Sequence, residues 1–324
     1  MKAMVCEAFG GPEVLALRDV ADPPPPGAGE IQVRIGARGV QYVDVLMLAG
    51  KYQFRPEPPF IPGGEAAGVV AAVGPGVADF RVGDRVMSRH PTGAWAERAN
   101  AKAELCDRIP DAMSIEHAGV FRAAYTTAYH ALLQRGRMVA GEWVLVHGAA
   151  GGIGIAAIQV ARLFGARVIA TASTAAKRAA CLEEGAEHAI DYHGGFVDEV
   201  KQLTGGRGVD IVYDPIGDKV SEESLRCLAF AGRLLILGFL GGGPASIRSN
   251  YLLIKCIDAV GVRIGGLNEA YPALAIANMK ALVELAGQGK LKPRISHRFR
   301  LDQAAEAVQA VIDRAVIGKA VLAG

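Results

Sequence analysis

Two different spacings of apolar residues divide the chain. Over roughly the first 120 residues, apolar and polar positions alternate in short stretches (31–36, 68–73, 84–87) separated by proline and glycine turns. This predicts a β-rich, irregular segment. From Tyr125 onward, buried-type apolar runs alternate with helical periods. Strands are predicted at 143–147, 166–172, 188–192, 209–214, 233–238 and 258–264, with helices at 175–184, 197–204 and 220–229 between them. Such alternation builds a parallel sheet covered by helices on both faces. A helix at 272–288, a strand at 295–299, a helix at 302–316 and a strand at 319–322 follow.

One stretch in the second pattern carries chemistry. Residues 141–162, GEWVLVHGAAGGIGIAAIQVAR, read as a buried strand, a glycine-rich turn and a helix with small residues on its packing face. That order suits a dinucleotide pyrophosphate. The turn brings backbone N–H groups, here those of Ala150, Gly151, Gly152 and Ile153, to the phosphates, and the helix N-terminus adds partial positive charge. The first glycine of the usual spaced triplet is replaced by Ala149, with Gly151 and Gly154 following. A glycine-rich strand–helix turn without a ligand is the plainer reading. The strand at 166–172, arriving after Gly165, argues for the nucleotide.

The second strand bears on which nucleotide. NAD-preferring loops place an acid about 20 residues on, against the ribose hydroxyls. Here the strand runs into Ser173 and Thr174, no acid appears until Glu183, and Lys177 and Arg178 follow. A carboxylate would repel a 2′-phosphate, whereas hydroxyls and cations bind it. NADPH is therefore expected over NADH. Lys177 and Arg178 also fit a merely solvated helix face.

Bulk properties remove other classes. At 324 residues the chain accommodates two cored domains, and its net charge of +2 and lack of a Lys/Arg cluster speak against nucleic acid. No apolar run reaches membrane-spanning length. The N-terminus enters a strand at once, without a signal peptide. Five scattered cysteines without a CxxC support neither a disulfide framework nor a cysteine zinc site, and a cytoplasmic location is expected.

The stretch Gly141-Glu142, Leu145, Ala149-Ala150-Gly151-Gly152, Gly154, Gln159 and Arg162 matches a spaced family signature. With GPEVL (11–15), GVQYVD (39–44), GKY (50–52) and IPGGEAAGVV (61–70), the whole chain resembles the zinc-free quinone oxidoreductase branch of the medium-chain dehydrogenases/reductases. The resemblance implies an α/β protein: a GroES-like β-rich domain (1–124), a Rossmann doubly wound parallel-sheet domain (125–264) and a C-terminal return to the first (265–324). Zinc relatives carry a Cys near the 39–44 segment and a His in a G-H-E motif. Here the first has no Cys and the second reads Gly63-Gly64-Glu65, so no metal is expected. The seven histidines are isolated and read as ordinary polar residues.

The implied activity is hydride transfer from NADPH to a quinone or to the β-carbon of an α,β-unsaturated carbonyl (an enone). The developing oxygen then needs a hydrogen-bond donor and a proton. Tyr52 occupies the resemblance's pocket-tyrosine position, and it also fits an apolar rim residue. Gln41 stands where the family usually has Asn. Tyr129 fits a nicotinamide-side contact or core, and Thr126 an amide or phosphate contact. Tyr192 is expected against adenine, and Gly238, Phe239 and Leu240 at the C-terminal side of the sheet. By resemblance alone, Arg263 lines the nicotinamide pocket and Lys319 lies near the 2′-phosphate. An enoyl-thioester reductase and a non-catalytic NADPH-binding protein remain alternatives. A homodimer is expected, because the strand at 258–264 would otherwise be an exposed apolar edge.

Overall fold

The computed structural model describes residues 1–324. The chain divides into two compact units, Met1–Ala123 with Val283–Gly324, and Ala124–Leu282. The return to unit one thus begins at Val283 rather than at 265.

Unit one opens with β1 (Lys2–Cys6), β2 (Leu15–Asp19), the long β3 (Glu30–Val40) and the short helix α1 (Tyr42–Leu48). Then come β4 (Glu65–Val73), β5 (Arg85–Arg89), β6 (Arg98–Lys102), β7 (Cys106–Arg108) and α2 (Ile115–Ala118). The strand expected to stop at Gly36 continues to Val40. Against β4, Ile35 pairs with Gly68 and Ala37 with Ala67, so Gly36 is the extra residue of a bulge in β3 and does not end the strand.

Helix α3 (Arg122–Tyr129) leads into unit two, where a π-helical turn covers His130–Arg135. There follow β8 (Trp143–Val146), α4 (Gly152–Leu163), β9 (Arg167–Thr171), α5 (Ala175–Glu183), β10 (His188–Ile190) and α6 (Val197–Leu203). Next are β11 (Val209–Asp214), α7 (Asp218–Cys227), β12 (Leu228–Ile236), α8 (Ser249–Lys255), β13 (Asp258–Gly261), α9 (Ile264–Ala270) and α10 (Pro272–Gly287). β12 begins five residues before the expected 233, because Ala231, at φ 57°, and a register shift against β11 let it bulge and continue. β13 stops at Gly261, since Ile264 already starts α9. The six strands are all parallel, in the order β10-β9-β8-β11-β12-β13. β8 and β11, in the middle, are buried along their whole length, as strands covered on both faces must be.

The chain closes with β14 (Ile295–Phe299), α11 (Ala304–Ile312) and β15 (Lys319–Ala323) in unit one. α11 is shorter than expected because Arg314, at φ 56°, ends it. β15 pairs antiparallel with β3, giving the sheet order β14-β15-β3-β4-β5-β7 with β6 also on β3. The buried Arg38 on β3 donates to the carbonyls of Ile35, Ala96 and Gly324, tying three segments together.

Candidate cofactor and active-site residues

In unit two, β8 runs into His147 and then Gly148, whose φ of 57° is left-handed and favours glycine. The Ala149 N–H donates to the Thr171 carbonyl at 3.2 Å and pins the turn to β9. Gly151 then opens α4 in extended backbone. The first-turn N–H groups of an α-helix have no partner within the helix. Those of Gly152 and Ile153, both only partly buried, are therefore offered at the positive end of a twelve-residue helix. Gly154 is buried: a Cβ there would lie 2.5 Å from the Ala149 carbonyl oxygen. At Gly151 a Cβ would come within 3.3 Å of the Gly148 oxygen, narrowing the cradle. This arrangement fits a pyrophosphate.

Beneath the turn lies a polar network that the sequence reading missed. His147 is buried, with Nδ1 3.0 Å from Thr171 Oγ1 and Nε2 2.9 Å from Ser224 Oγ. Burial pushes its imidazole down to about 4, so it is neutral, and the Phe196 ring packs edge-on against it at 4.7 Å. Asp214, at the end of β11, accepts the N–H groups of Ile216 (2.7 Å) and Gly217 (3.1 Å) and the Ser221 hydroxyl. Isolated in sequence, these side chains meet because the parallel strands end side by side.

At the end of β9, Ser173 is partly buried and Thr174 caps α5, its hydroxyl accepting the Lys177 N–H at 3.2 Å. Arg178 reaches the Ala172 carbonyl (3.3 Å) and pairs with Asp191 (2.7 Å). No acid occupies the first positions after β9, which suits a 2′-phosphate there. Tyr192 follows β10 and stacks on His193 at 4.6 Å. Gly238, Phe239 and Leu240 follow β12, where Leu237 N–H reaches the Asp214 carbonyl and Leu240 N–H the Pro215 carbonyl. Arg263 follows β13, exposed and paired with Glu269 at 3.2 Å. Ala150, Gly151, Gly152, Ile153, Ser173, Lys177, Tyr192, Gly238, Phe239, Leu240 and Arg263 thus all stand at or just beyond the C-terminal ends of the parallel strands, where α/β sheets bind ligands.

Two expected residues lie elsewhere. Tyr129 packs edge-on against Phe164 at 5.9 Å, beyond the far end of α4. At 1.5 Å per residue that is about 18 Å from the glycine turn, and Tyr129 is partly buried there. Tyr125 bonds Gln159 at 2.7 Å, so α3 runs in the same direction as α4. Thr126, three residues before Tyr129, is accordingly about one turn closer to the glycine turn. Lys319 belongs to unit one. It is buried and its ammonium sits 3.3 Å from Glu65, so it is withdrawn from the phosphate set.

Also in unit one, Gln41 caps α1. Its N–H donates to Asp44 Oδ2 at 2.8 Å, and its carbonyl accepts the Asp44 N–H at 3.0 Å. Tyr52 is partly buried in the bend after α1. No group of three or more His, Cys, Asp or Glu side chains converges as a metal site would require.

A β-rich unit and a doubly wound parallel unit with a glycine turn at the start of α4 together define a two-domain nucleotide-dependent oxidoreductase class. The chain matches the alcohol dehydrogenase GroES-like domain over residues 27–137 and the family described as zinc-binding dehydrogenase over 152–281. It is 36% identical over 323 residues to quinone oxidoreductase-like protein 2 of Rattus norvegicus, covering 99% of this chain and 91% of that one. Over 315 residues it is 32% identical to the quinone oxidoreductase of Homo sapiens, covering 96% and 94%. The solved Escherichia coli quinone oxidoreductase complexed with NADPH is 30% identical, with TM-score 0.92 over 100% of both chains. The chain belongs to the quinone oxidoreductase-type medium-chain dehydrogenases/reductases.

Proposed function

We propose that this protein is an NADPH-dependent, zinc-independent reductase that delivers a hydride to a quinone or an α,β-unsaturated carbonyl. The observation that carries this reading is the open α4 N-terminus beside a β9 end that bears Ser173 and Lys177 and no acid. NADPH, when bound, supplies the hydride. The Gly152 and Ile153 N–H groups, with the Ala150–Gly151 turn, hold the pyrophosphate. Ser173 and Lys177 read the 2′-phosphate, and Tyr192 covers the adenine. Thr126, Gly238–Leu240 and Arg263 orient the nicotinamide end.

Gln41 and Tyr52 donate hydrogen bonds to the acceptor's oxygen as it gains charge. The proton that completes the quinol or the saturated ketone comes from the Tyr52 hydroxyl or from water. Zinc independence is supported by the lack of a Cys in residues 39–44 and by Gly64 in place of the zinc relatives' His, and treatment with a chelator should leave turnover unchanged. A homodimer is supported by β13, an edge strand with exposed residues, and by exposed Leu253 and Ile254 on the helix just before it. A monomeric mass in sedimentation would oppose it. The scatter of the five cysteines along the chain, four of them buried, supports a reducing, cytoplasmic setting.

The test is NADPH oxidation with 9,10-phenanthrenequinone, a short enone and crotonyl-CoA in parallel, with NADH as control. Oxidation with the quinone or enone and preference for NADPH supports the proposal. Faster turnover of the thioester moves the function to acyl-CoA reduction. Tight NADPH binding without any oxidation overturns catalysis.

A further inference from the structure

One buried imidazole of unit one has no task in the proposed hydride transfer. His90 follows β5 and is 5% exposed. Its Nε2 lies 2.8 Å from Ser88 Oγ, and its Nδ1 meets no protein group. The one side-chain nitrogen or oxygen that is both sealed from solvent and without a partner is the Tyr213 hydroxyl, so His90 Nδ1 opens onto accessible space. The ladder says where that space lies. Side chains two apart on a strand share a face. Ser88 pairs with Ala66, so His90, two residues on, shares its face with Gly64, two residues before Ala66. The His90 N–H donates to the Gly64 carbonyl at 3.0 Å and extends the ladder by that pair. A Cβ at Gly64 would meet, apart from its chain neighbours, only the His90 carbonyl oxygen at 3.7 Å. The imidazole thus stands beside an open slot. β3 ends at the same place: a Cβ on Gly39 would lie 2.7 Å from Glu65 Oε1, and Gln41 is two residues on.

Ser88 decides which ring nitrogen carries the hydrogen. Its hydroxyl can donate to the Ala66 carbonyl, at 3.5 Å, or to His90 Nε2, at 2.8 Å. The shorter bond is the stronger, so Nε2 accepts and Nδ1 carries the hydrogen. Burial pushes the imidazole down to about 4, which leaves it neutral with that single N–H. We propose that His90 is a further catalytic residue, whose Nδ1–H donates to the acceptor's oxygen in the slot at Gly64. The inference rests on the acceptor site that the proposed function places at Gln41. The electron pair displaced by the hydride moves onto that oxygen, and the proton still comes from Tyr52 or water. A fixed N–H stabilises the growing charge without giving up its own proton.

Three variants separate this role from packing. His90→Phe keeps a ring and removes the donor. His90→Asn puts an amide N–H where Nδ1 stands, and His90→Gln puts one where Nε2 stands. At saturating NADPH, H90F should lower kcat roughly 100-fold on a short enone and about tenfold on 9,10-phenanthrenequinone, because an enolate holds its charge on fewer atoms than a quinol anion. H90N should recover part of the loss and H90Q should not, while NADPH Kd stays near wild type in all three. A second measurement needs no turnover. In ¹⁵N NMR of histidine-labelled protein at pH 7, with H90F to assign the ring, His90 should carry its hydrogen on Nδ1.

A hydrogen on Nε2 overturns the proposal, as do equal losses on the two acceptors, equal recovery by H90N and H90Q, or a kcat in H90F near wild type. In each of those cases wild-type turnover keeps the oxidoreductase reading standing. If the wild type binds NADPH and reduces no acceptor, that reading falls and the role of His90 falls with it. Should H90F fail to fold, or only one acceptor be reduced, H90N against H90Q and the ring tautomer decide.

Discussion

Gly154→Ala is the sharpest test of how the phosphate cradle is built. The new Cβ would lie 2.5 Å from the Ala149 oxygen, and 2.6 Å from both the Ala149 Cα and the Gly148 oxygen. All three are backbone atoms, so no side chain can swing aside. Helix α4 and the turn must part by about 0.5 Å to reach even 3.0 Å. Such overpacking costs roughly 1–3 kcal/mol, against a helix-propensity gain of about 1 kcal/mol. A net loss of up to about 2 kcal/mol is expected, at about 2–4 °C of Tm for each kcal/mol in a domain of this size. The displaced first turn also carries the Gly152 and Ile153 donors, so NADPH Kd should rise about tenfold, the equivalent of about 1.4 kcal/mol. Thermal denaturation and a fluorescence titration with NADPH measure the two effects separately. A variant that melts at or above the wild-type temperature and binds NADPH with unchanged Kd would refute the close approach and the role given to it.

Other outcomes follow from the same geometry. Ser173→Asp puts a carboxylate where the 2′-phosphate is expected, so the KM for NADPH should rise roughly 10–100-fold while that for NADH changes little; an equal change in both would remove Ser173 from the phosphate subsite. Tyr129→Phe should leave kcat and both cofactor KM values near wild type, since the ring packs on Phe164, and a large fall in kcat would reinstate it in the site. The imidazole of His147, pushed down to about 4 by burial, binds fewer protons folded than unfolded between about 6.5 and 4. Stability should be lost as pH falls through that window, by up to about 3 kcal/mol, and His147→Gln should lessen the loss in acid melts. Arg233 makes two bonds to Glu142, at 2.7 and 2.8 Å, and is largely buried. Arg233→Met should therefore cost about 3 kcal/mol in urea denaturation, and an unchanged midpoint would show the pair contributes nothing.

Much of the fold was legible because its signals are local. The alternation of apolar runs and helical periods located β8 to β11, and the glycine turn marked where β8 meets α4. The end of β9 could be read for its missing acid because that position sits at a fixed distance from the turn. Boundaries failed where a glycine or a left-handed residue bends a strand without stopping it, as at Gly36 and Ala231. The His147–Thr171–Ser224 network was not legible, because adjacency of strand ends is a property of sheet order and not of spacing. Lys319 failed for a related reason. Its place near the 2′-phosphate rested on resemblance alone, and only the pairing of β15 with β3 brings it beside Glu65. Tyr129 and Thr126 share a helix, and nothing in their spacing said which end of α4 each would reach.

The split of unit one across the chain has a consequence for synthesis. Unit two is one uninterrupted stretch, Ala124–Leu282, and can close as soon as it leaves the ribosome. Unit one starts first and finishes last. Until β15 arrives, the Ala37–Val40 end of the β3 edge beyond β6 has no partner, Arg38 lacks the Gly324 carbonyl, and Glu65 lacks its lysine. A nascent chain whose β15 has not yet emerged would hold a closed nucleotide unit and, in unit one, an open stretch of sheet edge, a species in need of a chaperone.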